Sequence, residues 1–181
     1  MLKILSLILA ILMFPLPSHS AQNIINLTGE VDDDMATMVV SKLNSMDGPV
    51  TIVINSPGGS VVAGLQIVSA IKHYDGPTTC VIDGWGDSMA AVIEESCTVR
   101  EMESYSILMF HQGSLNIGRA NSHDLVEAQK ALNAVDRAMA NIVAPRLGLT
   151  VDEWLQLIDG HDIWWSADMA LKSHAIDKVI N

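Results

Sequence analysis

Short hydrophobic runs alternate with amphipathic stretches along most of the chain. The runs, rich in β-branched and aliphatic residues, predict strands at residues 24–27, 50–54, 78–82, 98–102 and 106–110. Between several of these runs, apolar residues recur every three or four positions, as Met35, Val39 and Leu43 do, which predicts helices. This order is typical of an α/β fold with repeated βα units, in which helices cover a parallel sheet.

The ends of the predicted helices carry recognisable signals. Aspartates at residues 32–34 open the first helix, where acidic side chains favour the positive end of the helix dipole. A helix is predicted from Ser88 to about Glu95, and a longer one over residues 122–146 has an apolar stripe long enough for both core and subunit contacts. A capping box at residues 150–153 and a cap at Ser166 predict two short helices near the C-terminus.

Three predicted turns carry chemistry and meet at one edge of the sheet. Right-handed crossovers bring the strand-to-helix turns of a parallel sheet to a common edge, where ligands bind. Gly58 and Gly59 follow the second strand, Ser88 follows the third, and His111 ends the fifth. Backbone amides, a hydroxyl and an imidazole at one edge predict an acyl-transfer site.

Each of these residues also has a plainer interpretation. Serine at a helix N-terminus, as at Ser88, is a common cap, and a lone histidine such as His111 is often structural. Asp162, the candidate orienting carboxylate, lies in a turn, where aspartate needs no special function. Gly58 and Gly59 suit a plain tight turn or a phosphate-binding turn, although the Lys-Ser/Thr ending of the phosphate-binding pattern is absent.

The composition limits the classes of partner. With 181 residues, 49% of them hydrophobic and 17% charged, the chain is long and apolar enough for one globular domain. Its formal net charge of −11 argues against nucleic acid and anionic membranes as partners. The six histidines show no metal-ligand spacing, so we expect neither a metal nor another cofactor.

The N-terminus predicts export from the cytoplasm. Lys3 precedes an apolar run at residues 4–14, and small residues follow, which predicts a signal peptide over residues 1–20, cleaved near Ser20 and Ala21, and one domain over residues 21–181. An uncleaved anchor is the alternative. The protein would then be periplasmic or secreted, where Cys80 and Cys97 could form a disulfide, although two free cysteines fit the sequence equally well.

Five motifs together resemble the Clp-type serine peptidases, the proteolytic subunits of the caseinolytic protease. They lie at residues 27–31, 54–60, 84–91, 109–112 and 161–167, and their order and spacing agree from residue 24 to the C-terminus. The resemblance implies a crotonase-like αβ sandwich with a protruding handle, formed here by residues 112–146. It also implies a homo-oligomer, possibly a heptameric ring, that cleaves peptides or unfolded proteins.

The resemblance also assigns roles to individual residues. It implies Ser88 as nucleophile, His111 as general base and Asp162 as the acid that orients the histidine. The amides of Gly59 and Met89 would form the oxyanion hole. Beside these, Gly58 is the expected substrate-binding residue of the glycine turn.

Some positions depart from the family pattern. The domain begins close to the first core strand, without the segment through which family members meet their ATPase partners, so an ATPase partner is not expected. Gly160 and His161 replace an acidic residue and an arginine used between rings, which weakens the expectation of stacked rings. Asp87 stands where the family has a small residue, and it could cap a helix, tune His111 or impair the site.

Three functions therefore compete. The leading hypothesis is an ATP-independent serine endopeptidase outside the cytoplasm. A second is a Ser/Lys enzyme resembling signal-peptide peptidases, for which Lys130 is the one suitably placed lysine. A third is a catalytically silent Clp-like assembly or binding subunit, suggested by Asp87 and the missing contacts.

Overall fold

The computed structural model describes residues 23–181. The predicted signal peptide over residues 1–20 and its cleavage site lie outside the described residues, so both stay predictions. Seven strands form one sheet: β1 (Asn23–Thr28), β2 (Val50–Ser56), β3 (Thr78–Asp87), β4 (Val99–Glu103), β5 (Ile107–Phe110), β6 (Ile163–Ser166) and β7 (Lys178–Ile180). The main path runs β1-β2-β3-β4-β7, and all its pairs are parallel, as the βα pattern predicts.

Six α-helices connect these strands: α1 (Asp33–Ser45), α2 (Val61–Lys72), α3 (Met89–Glu94), α4 (Ser122–Val143), α5 (Val151–Leu157) and α6 (Ala167–Lys172). The Oδ1 of Asp32 accepts a hydrogen bond from the Met35 amide at 2.8 Å, which confirms the predicted cap of α1. The capping box at Thr150 and Glu153 is also confirmed. Within residues 23–181, no helix combines the length and hydropathy needed to cross a bilayer.

Two helix ends differ from the sequence prediction. Helix α4 ends at Val143 rather than near Arg146, and a short 3-10 helix (Ala144–Leu147) follows it. Pro145 explains this ending, because proline cannot continue the backbone ladder of an α-helix. Ser166 stands at the N-cap of α6, but its side chain makes no capping hydrogen bond.

Strand β3 changes its partner along its length. Residues 79–82 pair with β4, whereas residues 85–87 pair with β5 in parallel. At the change, the Gly84 amide donates to Ser106 Oγ at 2.8 Å, and the Trp85 amide donates to Asn55 Oδ1 at 3.3 Å. These side chains replace the missing strand partners. The sequence predicted a strand end at Ile82 and a turn at 84–86, but the strand continues to Asp87.

The core lies between one face of the sheet and the helices. On β2, Val50, Ile52 and Ile54 are buried, whereas Thr51 and Val53 on the opposite face are only partly buried. In the described chain, this strand is therefore fully buried on one face only. The β-branched run reflects strand propensity and packing on one face rather than complete burial.

A disulfide joins β3 to the segment that follows α3. It links Cys80 and Cys97, which are 17 positions apart in sequence and buried in the core. The sequence left open whether these residues are bonded, because it does not show that the strand and the helix end meet. In the structure their Cα atoms lie 5.7 Å apart, within the usual range for a disulfide.

Candidate active site

Ser88 forms the sharp turn between β3 and α3. Its backbone has φ 55° and ψ −121°, a conformation that costs a residue other than glycine about 1–3 kcal/mol. The Ser88 amide donates to the Met109 carbonyl at 2.8 Å, which holds this turn against β5. The side chain makes no helix-capping hydrogen bond, so the interpretation of Ser88 as a cap is wrong.

His111 lies beside this hydroxyl. Its Nε2 is 2.7 Å from Ser88 Oγ, a distance suited to a nucleophile and its general base. Strand register explains the meeting, because Asp87 on β3 pairs with Met109 on β5. The residues just beyond this pair, Ser88 and His111, therefore leave the sheet side by side although they are far apart in sequence.

The turn at Gly58 and Gly59 packs directly on Ser88. A Cβ atom built on Gly58 would lie 2.6 Å from the Asp87 carbonyl oxygen and 2.7 Å from Ser88 Cβ. A Cβ on Gly59, which has φ 150°, would collide with the carbonyl oxygen of Val31. Both positions thus need glycine for close approach, and this approach brings Gly59 near Met89.

Two backbone amides remain open at this junction. Within the described residues, the amides of Gly59 and Met89 donate no hydrogen bond, which suits an oxyanion hole. By contrast, the Gly58 amide donates to Ser56 Oγ at 3.1 Å and its carbonyl accepts from Val31 at 2.8 Å. The amide and the carbonyl of Gly58 are therefore both used in hydrogen bonds that hold the turn. A substrate-binding role for Gly58 stays a prediction.

Asp162 does not join the pair formed by Ser88 and His111. Its side chain is exposed in the turn between α5 and β6, and it forms no hydrogen bond or ion pair with His111. The two segments are still linked, because the Gly160 amide donates to Gln112 Oε1 at 3.0 Å. The predicted role of Asp162 in orienting the histidine is therefore not visible in this arrangement and stays a prediction.

Asp136 is a residue that the sequence analysis missed. It is buried on α4, and its Oδ1 accepts a hydrogen bond of 2.6 Å from the Gly113 amide. This bond anchors the loop that follows His111 to the long helix. A carboxylate between Val135 and Met139, inside the apolar stripe of α4, was the available sequence signal.

Asp87 is buried next to the turn at Ser88. Its Oδ1 has no hydrogen-bond partner, and burial raises the pKa of this carboxyl to about 6. No hydrogen bond joins Asp87 to His111, and Asp87 is the last residue of β3, with Ser88 between it and the first residue of α3. The cap interpretation of Asp87 is therefore wrong, and a direct hydrogen bond through which it could tune His111 is absent.

Lys130 lies on the exposed part of α4 and does not reach the serine. Its Nζ pairs with Glu127 at 2.8 Å, and 67% of its side chain is exposed. The side-chain nitrogen within hydrogen-bond distance of Ser88 Oγ belongs instead to His111. The Ser/Lys interpretation is not supported by this geometry.

Known proteins resemble this chain over most of its length. The Clp protease family model matches residues 18–181. The ATP-dependent Clp protease proteolytic subunit 3 of Rhodococcus jostii is 34% identical over 167 residues, which cover 88% of this chain and 82% of the relative. The ATP-dependent Clp protease proteolytic subunit of Streptococcus gordonii is 30% identical, with coverage of 87% and 84%.

A solved structure shows the same fold. A ClpP1 point mutant from Listeria monocytogenes superposes with a TM-score of 0.79, over 88% of this chain and 91% of that one, at 22% identity. The predicted ClpP-like α/β fold is therefore confirmed. The relatives are named ATP-dependent, so the comparisons do not support the expectation that an ATPase partner is absent.

Proposed function

The chain belongs to the Clp protease family and is a serine-type peptidase, and from this premise we propose that Ser88 and His111 carry its hydrolysis of peptide bonds. The observation that carries the proposal is the 2.7 Å contact between His111 Nε2 and Ser88 Oγ at a strained strand-to-helix turn. A plain helix cap would not need this backbone conformation, and strain of this kind clusters at functional sites.

Acylation would begin with attack of Ser88 Oγ on the carbonyl carbon of the scissile peptide. His111 Nε2 accepts the hydroxyl proton as the new C–O bond forms, and the amides of Gly59 and Met89 donate to the developing oxyanion. Collapse of this intermediate breaks the C–N bond, and His111 passes its proton to the leaving amine. The product of this half-reaction is an ester between Ser88 and the acyl part of the substrate.

Water completes the cycle. His111 takes a proton from a water molecule as its oxygen attacks the ester carbonyl, the C–O bond to Ser88 then breaks, and His111 returns the proton to Ser88 Oγ. These steps balance with water alone, so we propose that short peptides are cleaved without ATP. Asp162 enters the proposal on the family resemblance, as the acid that would orient His111 once its side chain turns inward.

The proposal also includes assembly and location. We propose that copies of the chain form a ring, possibly of seven subunits, which acts on peptides or unfolded proteins outside the cytoplasm. The leader-like sequence at residues 1–20 supports this location, and the Cys80–Cys97 disulfide is consistent with an oxidising compartment. N-terminal sequencing of protein from the periplasmic or culture fraction would test it, and uncleaved cytoplasmic protein would contradict it.

Labelling with a fluorophosphonate probe tests the chemistry. The full chain should be labelled, and Ser88→Ala and His111→Ala should both lose the label. Ser45→Ala and His73→Ala, on helix ends away from the site, serve as matched controls and should keep it. A folded wild-type protein that takes no label would overturn the assignment of Ser88 as an activated nucleophile.

That last outcome would favour the silent-subunit alternative. Two observations keep this second candidate: the exposed position of Asp162 and the buried, unpaired Asp87 beside the nucleophile. Analytical ultracentrifugation would then be expected to show rings in a preparation without labelled serine. Labelled rings that cleave peptides would exclude it.

A further inference from the structure

An apolar pocket adjoins Ser88. Gly59, Met89 and His111 line it beside the serine, and it extends to residues of α3, α4 and α5. No aspartate, glutamate, lysine or arginine lines it. Its inner wall consists of six buried apolar side chains, namely Val92, Phe110, Met139, Val143, Trp154 and Ile158.

The position of this pocket assigns it to the acyl side of the substrate. A carbonyl held between Ser88 and the amides of Gly59 and Met89 would place its α-carbon next to this pocket, because all three residues line it. The side chain on that α-carbon belongs to the residue before the scissile bond, known as P1. An apolar, charge-free cavity favours an apolar P1 side chain, because a buried unpaired charge would be strongly unfavourable.

The size of the pocket narrows this choice. Its volume is about 70 Å³, roughly half that of a cavity of about 150 Å³ that holds benzene. Trp154 limits the depth, since it is only 2% exposed and packs edge-to-face on Phe110 with ring centroids 5.2 Å apart. The indole therefore occupies the space that a larger P1 side chain would need.

We propose that Trp154 restricts this peptidase to substrates with a short aliphatic P1 residue, such as alanine, valine or leucine. The inference rests on the proposed function, and it adds the substrate class and the residue that selects it. Trp154 is a specificity residue here, because it bounds the cavity and does not take part in bond breaking.

The test uses the full chain and internally quenched peptides of one sequence that differ only at P1. Wild-type protein should cleave the alanine, valine or leucine peptides with kcat/KM at least about tenfold above that for phenylalanine, a discrimination typical of hydrophobic pockets. Trp154→Leu should raise kcat/KM for phenylalanine and reduce this ratio by at least about tenfold. Trp164→Leu, a matched change at a half-exposed tryptophan outside the pocket, should leave the ratio unchanged.

Three results would overturn the inference. One is equal cleavage of phenylalanine and leucine peptides by wild type, and another is a Trp154→Leu protein whose ratio stays at the wild-type value. If Trp154→Leu fails to fold by circular dichroism, Ile158→Ala enlarges the same wall, and an unchanged ratio there also counts against it. The fluorophosphonate label separates the hypotheses: labelled Ser88 with flat P1 preference removes only the pocket assignment, whereas absent labelling removes both.

Discussion

At the scale of single residues, the space available for a Cβ atom determines which residue the glycine turn of the site can hold. Gly58 and Gly48 have similar backbone angles, with φ 85° and 80°, but only Gly58 has neighbours where a Cβ would lie. An alanine at Gly48 would have an unfavourable positive φ without a steric clash, whereas an alanine at Gly58 would have both. Comparing the two alanine variants therefore separates the free-energy cost of the backbone conformation from that of the clash.

Gly58→Ala should abolish most activity. Its methyl group would collide with the Ser88 turn and displace the Met89 amide, and loss of one oxyanion donor lowers kcat by about 10²–10³-fold. Gly48→Ala should show the backbone cost of about 1–3 kcal/mol in urea unfolding, with kcat unchanged. Equal kcat for the two variants would contradict the packing described for Gly58.

Asp87 gives a prediction about pH. Its folded-state pKa of about 6 lies above the ordinary value of 3.8, so the folded protein binds its proton more tightly than the unfolded chain. Below about pH 4 the carboxyl is protonated in both states and does not lower the free energy of unfolding. As pH rises from about 4 to 6, its ionisation in the unfolded chain lowers the stability of the folded protein.

Asp87→Asn removes this loss. The difference in free energy of unfolding between Asp87→Asn and wild type should be larger at pH 7.5 than at pH 4.5. The increase should be about 1–2 kcal/mol after allowance for solvent screening. Urea unfolding at both pH values measures the difference, and Asp33→Asn on the exposed start of α1 is the control. A gain of the same size at both pH values would show that ionisation of Asp87 is not the cause.

At the scale of elements, an ionic network centred on the buried Arg100 holds the C-terminal end of α3. Arg100 on β4 donates to Glu95, the residue that follows α3, at 2.7 Å and, through a second nitrogen, to Asp177 before β7 at 2.6 Å. Arg146 of the 3-10 helix approaches the same carboxylates at 3.9 and 3.8 Å. Next to them, Glu94 is fully buried without a hydrogen bond, and burial raises its pKa.

Arg100→Met should destabilise the protein by about 3–5 kcal/mol, because it removes the main hydrogen-bond and charge partner of Glu95, whose pKa burial already raises to about 8. Arg137→Met is the matched control, since its pair with Asp152 at 2.9 Å is largely exposed and worth at most about 1 kcal/mol. Chemical denaturation of both variants at neutral pH provides the comparison. Similar losses for the two would show that burial does not set the value of the Arg100 pairs.

The sequence predicted the elements better than their junctions. The strands at 24–27 and 106–110 and the cap at Asp32 followed from local periodicity and propensity, and local signals suffice for such features. Local signals do not predict the extension of β3 to Asp87. This extension depends on hydrogen bonds that the β3 backbone donates to Asn55 and Ser106, which are distant in sequence. The same holds for the bond between Cys80 and Cys97.

The candidate site shows the same division. Ser88, His111 and Gly59 were selected because they end strands that a parallel sheet brings to one edge, and the register between β3 and β5 does place the serine and histidine together. The sequence does not identify Asp136 as a site residue, because its hydrogen bond to the Gly113 amide depends on contact between α4 and a loop distant in sequence. The exposed orientation of Asp162 also has no signature in the sequence.

At the scale of the whole molecule, α4 and the loop before it expose apolar side chains. Leu115 and Ile117 on the loop and Leu125 and Val126 on the first turns of the helix are each 41–56% exposed, whereas the C-terminal half of α4 packs into the core. An apolar group of this kind is typical of a protein–protein interface. It coincides with the handle at 112–146 that the family resemblance predicts.

Val126→Asp should therefore weaken assembly. A charge in the handle should shift the sedimentation coefficient toward smaller species, while circular dichroism remains that of the folded chain. Gln129→Asp places the same charge on an exposed polar position of α4 and should leave the mass unchanged. An intact large oligomer with Val126→Asp would exclude this part of the handle from the interface.

The Cys80–Cys97 bond has a practical consequence for laboratory preparation. It closes a loop that contains both the turn at Ser88 and α3, and a cross-link that closes a loop of this length typically contributes about 3 kcal/mol to stability. Material made in a reducing bacterial cytosol, or stored with dithiothreitol, would lack this restraint around Ser88. A preparation with low or variable peptidase activity should therefore first be assayed for free thiols. Only then should the low activity be attributed to the catalytic residues.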